Sequence, residues 1–250
     1  MDPVATARGS VVTCYNSEPM KTLGLVGGIG PESTIEYYRY IIAEYRRLKP
    51  DRGYPAILVN SVNLAQLIAW MNEDELGKVI EYLVVEVERL ARAGADFGAF
   101  ASNTPHIVFD EIQRQSGIPL ISIVEATCER VQALGFKKVA LFGTRFTMQG
   151  RFYPEVFSRA GIELVVPEHE EQTYIHDKYF GELLNNIFSP ETRQELLAIA
   201  DQLRVKHGIE GLILGGTELP LILRGEEHNG VRLLDTTRIH CDRIVRELLS

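Results

Sequence analysis

Cysteine is scarce, three in 250 residues, and Cys14, Cys128 and Cys241 stand far apart. That number and spacing fit neither a disulfide framework nor a zinc site, and suit a reducing, cytoplasmic setting. Basic runs are lacking as well. With 26 Lys and Arg against 34 Asp and Glu, the net charge is −8, which argues against a nucleic-acid or anionic-membrane surface. No apolar run approaches the ~20 residues needed to span a bilayer. Residues 1–19 carry neither the apolar core of a signal peptide nor an Arg-rich amphipathic pattern. They read as an N-terminal tail, with the fold starting at Met20-Lys21 and Met20 a second candidate start of the chain.

What remains is ordinary for a soluble globular protein, 45% hydrophobic and 24% charged, and long enough for one large domain or two small ones. Apolar runs of buried-strand type alternate with amphipathic stretches of helical period. Strands are expected at Thr22–Val26, Ala56–Asn60, Ala95–Phe100, Pro119–Ile123, Lys138–Gly143, Ile162–Val166 and Gly211–Leu214. Helices are expected from Pro31 to about Leu48, from Asp74 to Ala93, from Val124 to Leu134, through Ile187, from Pro190 to Lys206, and from about Leu233 to Leu249. Such alternation specifies a largely parallel, doubly wound α/β protein.

Segments recur at nearly constant offset. Lys21-Thr22-Leu23-Gly24-Leu25-Val26 is echoed by Lys138-Val139-Ala140-Leu141-Phe142-Gly143, and Ser102-Asn103-Thr104 by Gly216-Thr217-Glu218. Two pseudo-symmetric parallel-sheet lobes facing one cleft follow. Lobe 1 is expected over 20–117 plus 226–250, and lobe 2 over 118–225. The stretches Ala101–His106 and Gly215–Pro220 each follow a buried strand with small polar residues. The carboxyl ends of strands, where the next helix offers free N–H groups, are where open α/β sheets bind ligands. Asn103, Thr104, Thr144 and Thr217 are the candidate contacts, with Arg145 beside Thr144 the best-placed cation and Arg52 and Lys178 further ones.

The motifs Gly27-Gly28-Ile29-Gly30-Pro31-Glu32-Ser33-Thr34, Asn103-Thr104 with His106, Gly215 with Thr217-Glu218, Gly143-Thr144 and Asp235-Thr236 make the chain resemble the pyridoxal-independent aspartate/glutamate racemase family. The resemblance runs from Met20 to the end. It implies a small acidic amino acid between the lobes, no cofactor and no metal, and a homodimer. It also implies two thiols on opposite sides of the α-carbon, one removing its proton and the other returning one, each needing a pKa near working pH. At those two positions this chain has Ser102 and Gly216. The site implied is then Ser102 and Gly216 at the catalytic positions, with Gly28, Asn103, Thr104, Thr144, Arg145, Thr217 and Glu218 around the substrate.

A serine is a far weaker acid than a thiol, and a glycine transfers no proton. Three readings stay open. One is a racemase or isomerase of a small acidic amino acid, with Ser102, His106 or Glu218 as base. Another is a non-catalytic protein that binds a small carboxylate. The last is a lyase- or decarboxylase-type enzyme on the same scaffold, with Ser102 and the backbone at Gly216 forming an anion pocket. Simpler roles exist for several of these residues: local hydrogen bonding for His106, a helix cap for Glu218 and for Asp235. Ser33 stands where a dinucleotide fingerprint needs its third glycine. His169 and His176, among Glu168, Glu170 and Glu171, match no metal-ligand spacing.

Overall fold

β1 (Thr22–Gly27) leads through α1 (Pro31–Leu48) to β2 (Ala56–Ser61), and α2 (Leu64–Asn72) and α3 (Leu76–Arg92) lead on to β3 (Phe97–Phe100). A 3-10 turn at Thr104–Val108 and α4 (Phe109–Gln115) carry the chain to β4 (Leu120–Ile121). These strands form a parallel sheet of order β2-β1-β3-β4. The computed structural model describes residues 20–250, so the expected tail, 1–19, lies outside the described residues.

After α5 (Ile123–Ala133), a second sheet is built from β5 (Lys138–Gly143), the helices α6 (Arg145–Gln149) and α7 (Phe152–Arg159), and β6 (Glu163–Val165). It continues through α8 (His169–Gly181), α9 (Pro190–His207), β7 (Gly211–Gly215) and the short α10 (Leu219–Ile222). The hairpin of β8 (Glu227–His228) and β9 (Val231–Asp235) precedes the last helix, α11 (Thr236–Leu248). The sheet order is β6-β5-β7-β9-β8, parallel except for β8. With the β8 edge set aside, the two orders are the same. The fold is a pair of pseudo-symmetric α/β lobes.

Two strands, β4 and β9, pair outside the lobe ranges expected for them. β4, inside the 118–225 stretch, pairs with β3 in the first sheet, and β9, inside 226–250, pairs with β7 in the second. The physical reason is an exchange of helices. α5 leaves the first sheet and buries Ile123, Cys128 and Val131 against Val139, Leu141 and Tyr153 of the second lobe. α11 leaves the second sheet and buries Cys241, Ile244 and Val245 against Leu23, Leu25 and Tyr37 of the first. Each lobe thus completes its sheet with its own fourth strand and its core with the helix that follows the other's.

Local chemistry explains the elements. β3 and β7 are buried at every residue, as strands covered by helices on both faces must be. α1 starts with Pro31 and Glu32, ends with Arg46 and Arg47, and buries Ser33, Tyr37, Ile41 and Tyr45 at four-residue spacing, one stripe of a helix suited to its dipole. α2 was not expected. Its Leu64, Leu67 and Met71 follow the helical period, and the Asn63 side chain caps it by accepting the Gln66 N–H. α4, α6 and α7 also fill stretches without an expected element. The last helix starts at Thr236 rather than Leu233, because Val231, Leu233 and Leu234 are used as a strand to cover the edge of β7.

Candidate active site

Both candidate turns lie where the sequence puts them, just past the carboxyl ends of β3 and β7. Past β3, Ser102 is buried at 7% exposure, and its hydroxyl faces a cavity with no hydrogen-bond partner among the described residues. No base stands beside it. Asn103 has both ends of its amide occupied. Its Oδ1 accepts from the Tyr153 hydroxyl at 2.6 Å, and its Nδ2 donates to Thr236 Oγ1 at 3.2 Å. Tyr153 is on α7 and Thr236 opens α11, so Asn103 ties the first lobe's turn to the second lobe.

His106 is a strut. Its Nε2 accepts the Ile123 N–H at 3.1 Å, which places the ring proton on Nδ1, donated to the Asn103 carbonyl at 3.2 Å. Burial, and then the neighbouring His240, push its pKa down to about 3. A neutral ring with both nitrogens committed is not the base the sequence offered. His240 is held the same way. It donates from Nε2 to the Ile121 carbonyl at 3.0 Å and accepts the Tyr37 hydroxyl on Nδ1 at 2.8 Å, and burial lowers its pKa to about 4.

Past β7 the picture is different. A Cβ added at Gly216 would stand 2.4 Å from Cε2 of Tyr179 and 3.1 Å from its hydroxyl. The phenol of α8 therefore fills the space a side chain at 216 would use. Tyr179 donates to Glu218 Oε2, and its own pKa is held well above the usual phenol value by burial and then by the Glu218 charge. Glu218 is only 3% exposed and has no ion pair among the described residues. It accepts from Ser33 Oγ at 2.9 Å and from Thr217 Oγ1 at 2.8 Å, while those two hydroxyls lie 2.5 Å apart. Three hydroxyls thus converge on one buried carboxylate. The Glu218 side chain makes no cap to α10, contrary to the simpler role open to it, whereas Asp235 does cap α11 by accepting the Arg238 N–H at 3.1 Å.

Ser102, Thr104, Thr144 and Tyr179 meet at one narrow cavity between the lobes, of about 30 Å³, room for a single water. Its other walls are apolar, among them Ile29, Leu64, Ile68, Met71, Phe180 and Leu184. Thr144 is nearly buried and accepts the Thr147 N–H at 3.4 Å, capping α6. Thr217 belongs to the Glu218 cluster. Gly28 stays off the cavity. At φ +82 it makes the turn after β1, where a Cβ would meet the Val62 carbonyl at 2.4 Å, and its N–H is donated to Thr34 Oγ1. Arg145 is exposed, with its guanidinium over the Phe146 ring and its amide N–H donated to His176. Lys178 pairs with Glu182, and the Arg52 side chain lies outside what the structure describes. The thiols of Cys128 and Cys241 are buried in the two lobe cores, off the cavity.

Sequence reasoning missed Tyr179, Ser33 and the α2 residues. Tyr179 reaches Glu218 across 39 residues of chain, and no local pattern marks such a contact. Ser33 stood out only in the opening motif and as the residue that breaks a dinucleotide fingerprint, not as a partner of Glu218. The α2 residues did carry a signal, the spacing of Leu64, Leu67, Ile68 and Met71.

The Asp/Glu/Hydantoin racemase family model matches residues 26–244. A broad-specificity amino-acid racemase of Bacillus subtilis strain 168, RacX, is 29% identical over 154 residues, which is 60% of this chain and 66% of RacX, just under two thirds of its length. Among solved structures, an aspartate racemase homologue from Pyrococcus horikoshii OT3 is 34% identical with a TM-score of 0.77, covering 92% of this chain and 100% of that one. A candidate Asp/Glu racemase from Yersinia pestis is 30% identical with a TM-score of 0.85, again over 92% and 100% of the two chains. With its lobes, strand order and opposed turns, the chain belongs to the Asp/Glu/Hydantoin racemase family.

Proposed function

We propose that this protein is a cofactor-independent isomerase acting at the α-carbon of an amino acid held between its lobes, with Tyr179 and Glu218 in the role that the resemblance gives to the second thiol. The observation that carries this reading is the place of the Tyr179 hydroxyl, 3.1 Å from where the Cβ of a cysteine at 216 would stand, and bonded to a buried carboxylate. A proton-transfer group must lie within reach of the atom it serves, geometry before pKa. Support for that reach comes from the place of Tyr179 on the wall of the same cavity that Ser102 lines.

The α C–H bond breaks, and its proton goes to the Tyr179 oxygen as the phenol passes its own proton to Glu218. The electron pair stays on the α-carbon and spreads into the substrate carboxylate. Ser102 delivers a proton to the opposite face, and water carries the proton taken up by Glu218 back to the serine alkoxide, which restores both groups. The direct hydrogen bond from the Tyr179 hydroxyl to the buried Glu218 carboxylate supports Glu218 as the terminus. The amino acid as substrate is supported by family membership and by what RacX acts on.

A second reading is favoured by the narrowness of the cavity and the packed state of Gly216: a protein that binds a small carboxylate without turnover. Proton NMR of both enantiomers of aspartate, glutamate and leucine, incubated with the protein in D₂O, with chiral chromatography of the products and a binding titration, separates the two. Loss of the α-proton signal with appearance of the opposite enantiomer supports two-sided transfer. Loss with retained configuration restricts the chemistry to one side. Binding without any loss assigns the second reading and ends the first.

A further inference from the structure

Cations are missing from the cavity wall. Among the described residues, no Lys, Arg or His side chain lines it, and the cations nearest in sequence are engaged elsewhere, Arg145 over Phe146 and Lys178 with Glu182. Behind Tyr179 sits a buried carboxylate, Glu218, which repels a second negative charge. The wall's hydroxyls are those of Ser102, Thr104, Thr144 and Tyr179, while Leu64, Ile68 and Met71 come from α2 and Phe180 and Leu184 from the second lobe.

From this lining, and resting on the reading of the interlobe cavity as the substrate site, we infer that the protein selects an amino acid with an apolar side chain of leucine or methionine size over an acidic one. The small hydroxyls suit the α-carboxylate and ammonium. A side-chain carboxylate turned toward α2 would lose its water with neither a cation nor a donor in exchange, which is strongly unfavourable. An apolar side chain gains by the same transfer, about fourfold in affinity for each methylene buried.

Opening the cavity strengthens the preference. Its present volume, about 30 Å³, is that of a water and not of an amino acid, so a ligand must displace α2 side chains. Leu67 and Met71 of that helix are buried, and moving them costs apolar contact. An apolar ligand replaces the lost contacts, whereas aspartate or glutamate does not. α2 is held at its ends by the Asn63 cap and by Asp74, at φ +58, and between them its inner side meets the cavity.

The test is calorimetric titration of the full chain with both enantiomers of leucine, methionine, alanine, aspartate and glutamate. The expected result is leucine or methionine binding at least tenfold more tightly than either acid, and more tightly than alanine. Ile68→Lys places a cation at a half-buried position of the wall and is expected to weaken leucine at least tenfold and to improve glutamate. Its fold is checked by circular dichroism, with Leu184→Gln as the alternative variant on the opposite wall. Aspartate or glutamate binding as tightly as leucine overturns the apolar preference and leaves the interlobe site standing. Leucine affinity unchanged in both variants places binding away from this cavity and overturns the inference. No binding of any amino acid overturns the site reading itself, and the inference with it.

Discussion

The two site turns are related by the pseudo-symmetry of the lobes, yet they have been finished in opposite ways. Past β3, Ser102 has no hydrogen-bond partner for its hydroxyl among the described residues and lines a narrow cavity, and the groups behind it, Asn103, His106 and His240, are committed to protein partners. Past β7, Gly216 presents nothing, and its space is taken by a phenol from another helix, backed by a buried carboxylate and two hydroxyls. Duplicated scaffolds keep strand order because sheet pairing and core packing constrain it, while the single side chain at each strand end is free to diverge. One side here keeps a hydroxyl in place; the other has its space filled by a residue brought in by tertiary packing.

Acid should separate the two sides most strongly. Unfolded histidine titrates near ~6.5, whereas His106 and His240 are held down to about 3 and about 4. Between those values the unfolded chain binds more protons than the folded one. Stability is therefore full above the unfolded value and falls as pH drops through the window, by up to about 1.4 kcal/mol per pH unit for each histidine. Both rings lie behind the Ser102 turn. Hydrogen exchange at pH 4.5 should show the Ile123 amide, bonded to His106, losing protection before the amides of β7. Equal loss on both sides breaks the comparison.

Next in size is Gly216→Cys. Its Cβ would stand 2.4 Å from the Tyr179 ring, an overpacking expected to cost about 3 kcal/mol. In urea titrations, Tyr179→Gly in the same chain should relieve much of that cost, giving less than the sum of the two single changes. Additive effects would mean that the phenol does not fill the space of residue 216. Tyr153→Phe removes the 2.6 Å bond to Asn103 and leaves a buried carbonyl oxygen without its donor, for about 1–2 kcal/mol. Ser102→Cys comes last. Its hydroxyl has no partner to lose, so a change within about 0.5 kcal/mol is expected, in contrast with the same cysteine at 216.

Much of this was legible in the sequence. Apolar runs flanked by glycine marked β1, β3, β5 and β7, because strands buried on both faces tolerate little else. Their small polar exits placed both turns, and the echo of Lys21–Val26 in Lys138–Gly143 anticipated the matching strand orders. What was not legible is that β4 and β9 each stay with the sheet before them while the helices that follow cross to the other lobe, since a short apolar strand does not say which edge it pairs with. Nor was the filling of the 216 position. A missing side chain is visible in a sequence, but the residue that takes its space is found only when α8 is laid against β7. His106 was misleading for a related reason: its identity suggests a base, and its two hydrogen bonds decide otherwise.

The central claim is that the Tyr179 hydroxyl carries the proton on the side where Gly216 cannot. Tyr179→Phe keeps the ring that fills the glycine's space and removes only the oxygen. Deuterium incorporation at the α-carbon, followed by proton NMR in D₂O on the amino acid that binds most tightly, should proceed with the parent protein and fall at least 100-fold in this variant, with binding affinity little changed. Incorporation at the parent rate in Tyr179→Phe, or none in the parent protein itself, would contradict the account.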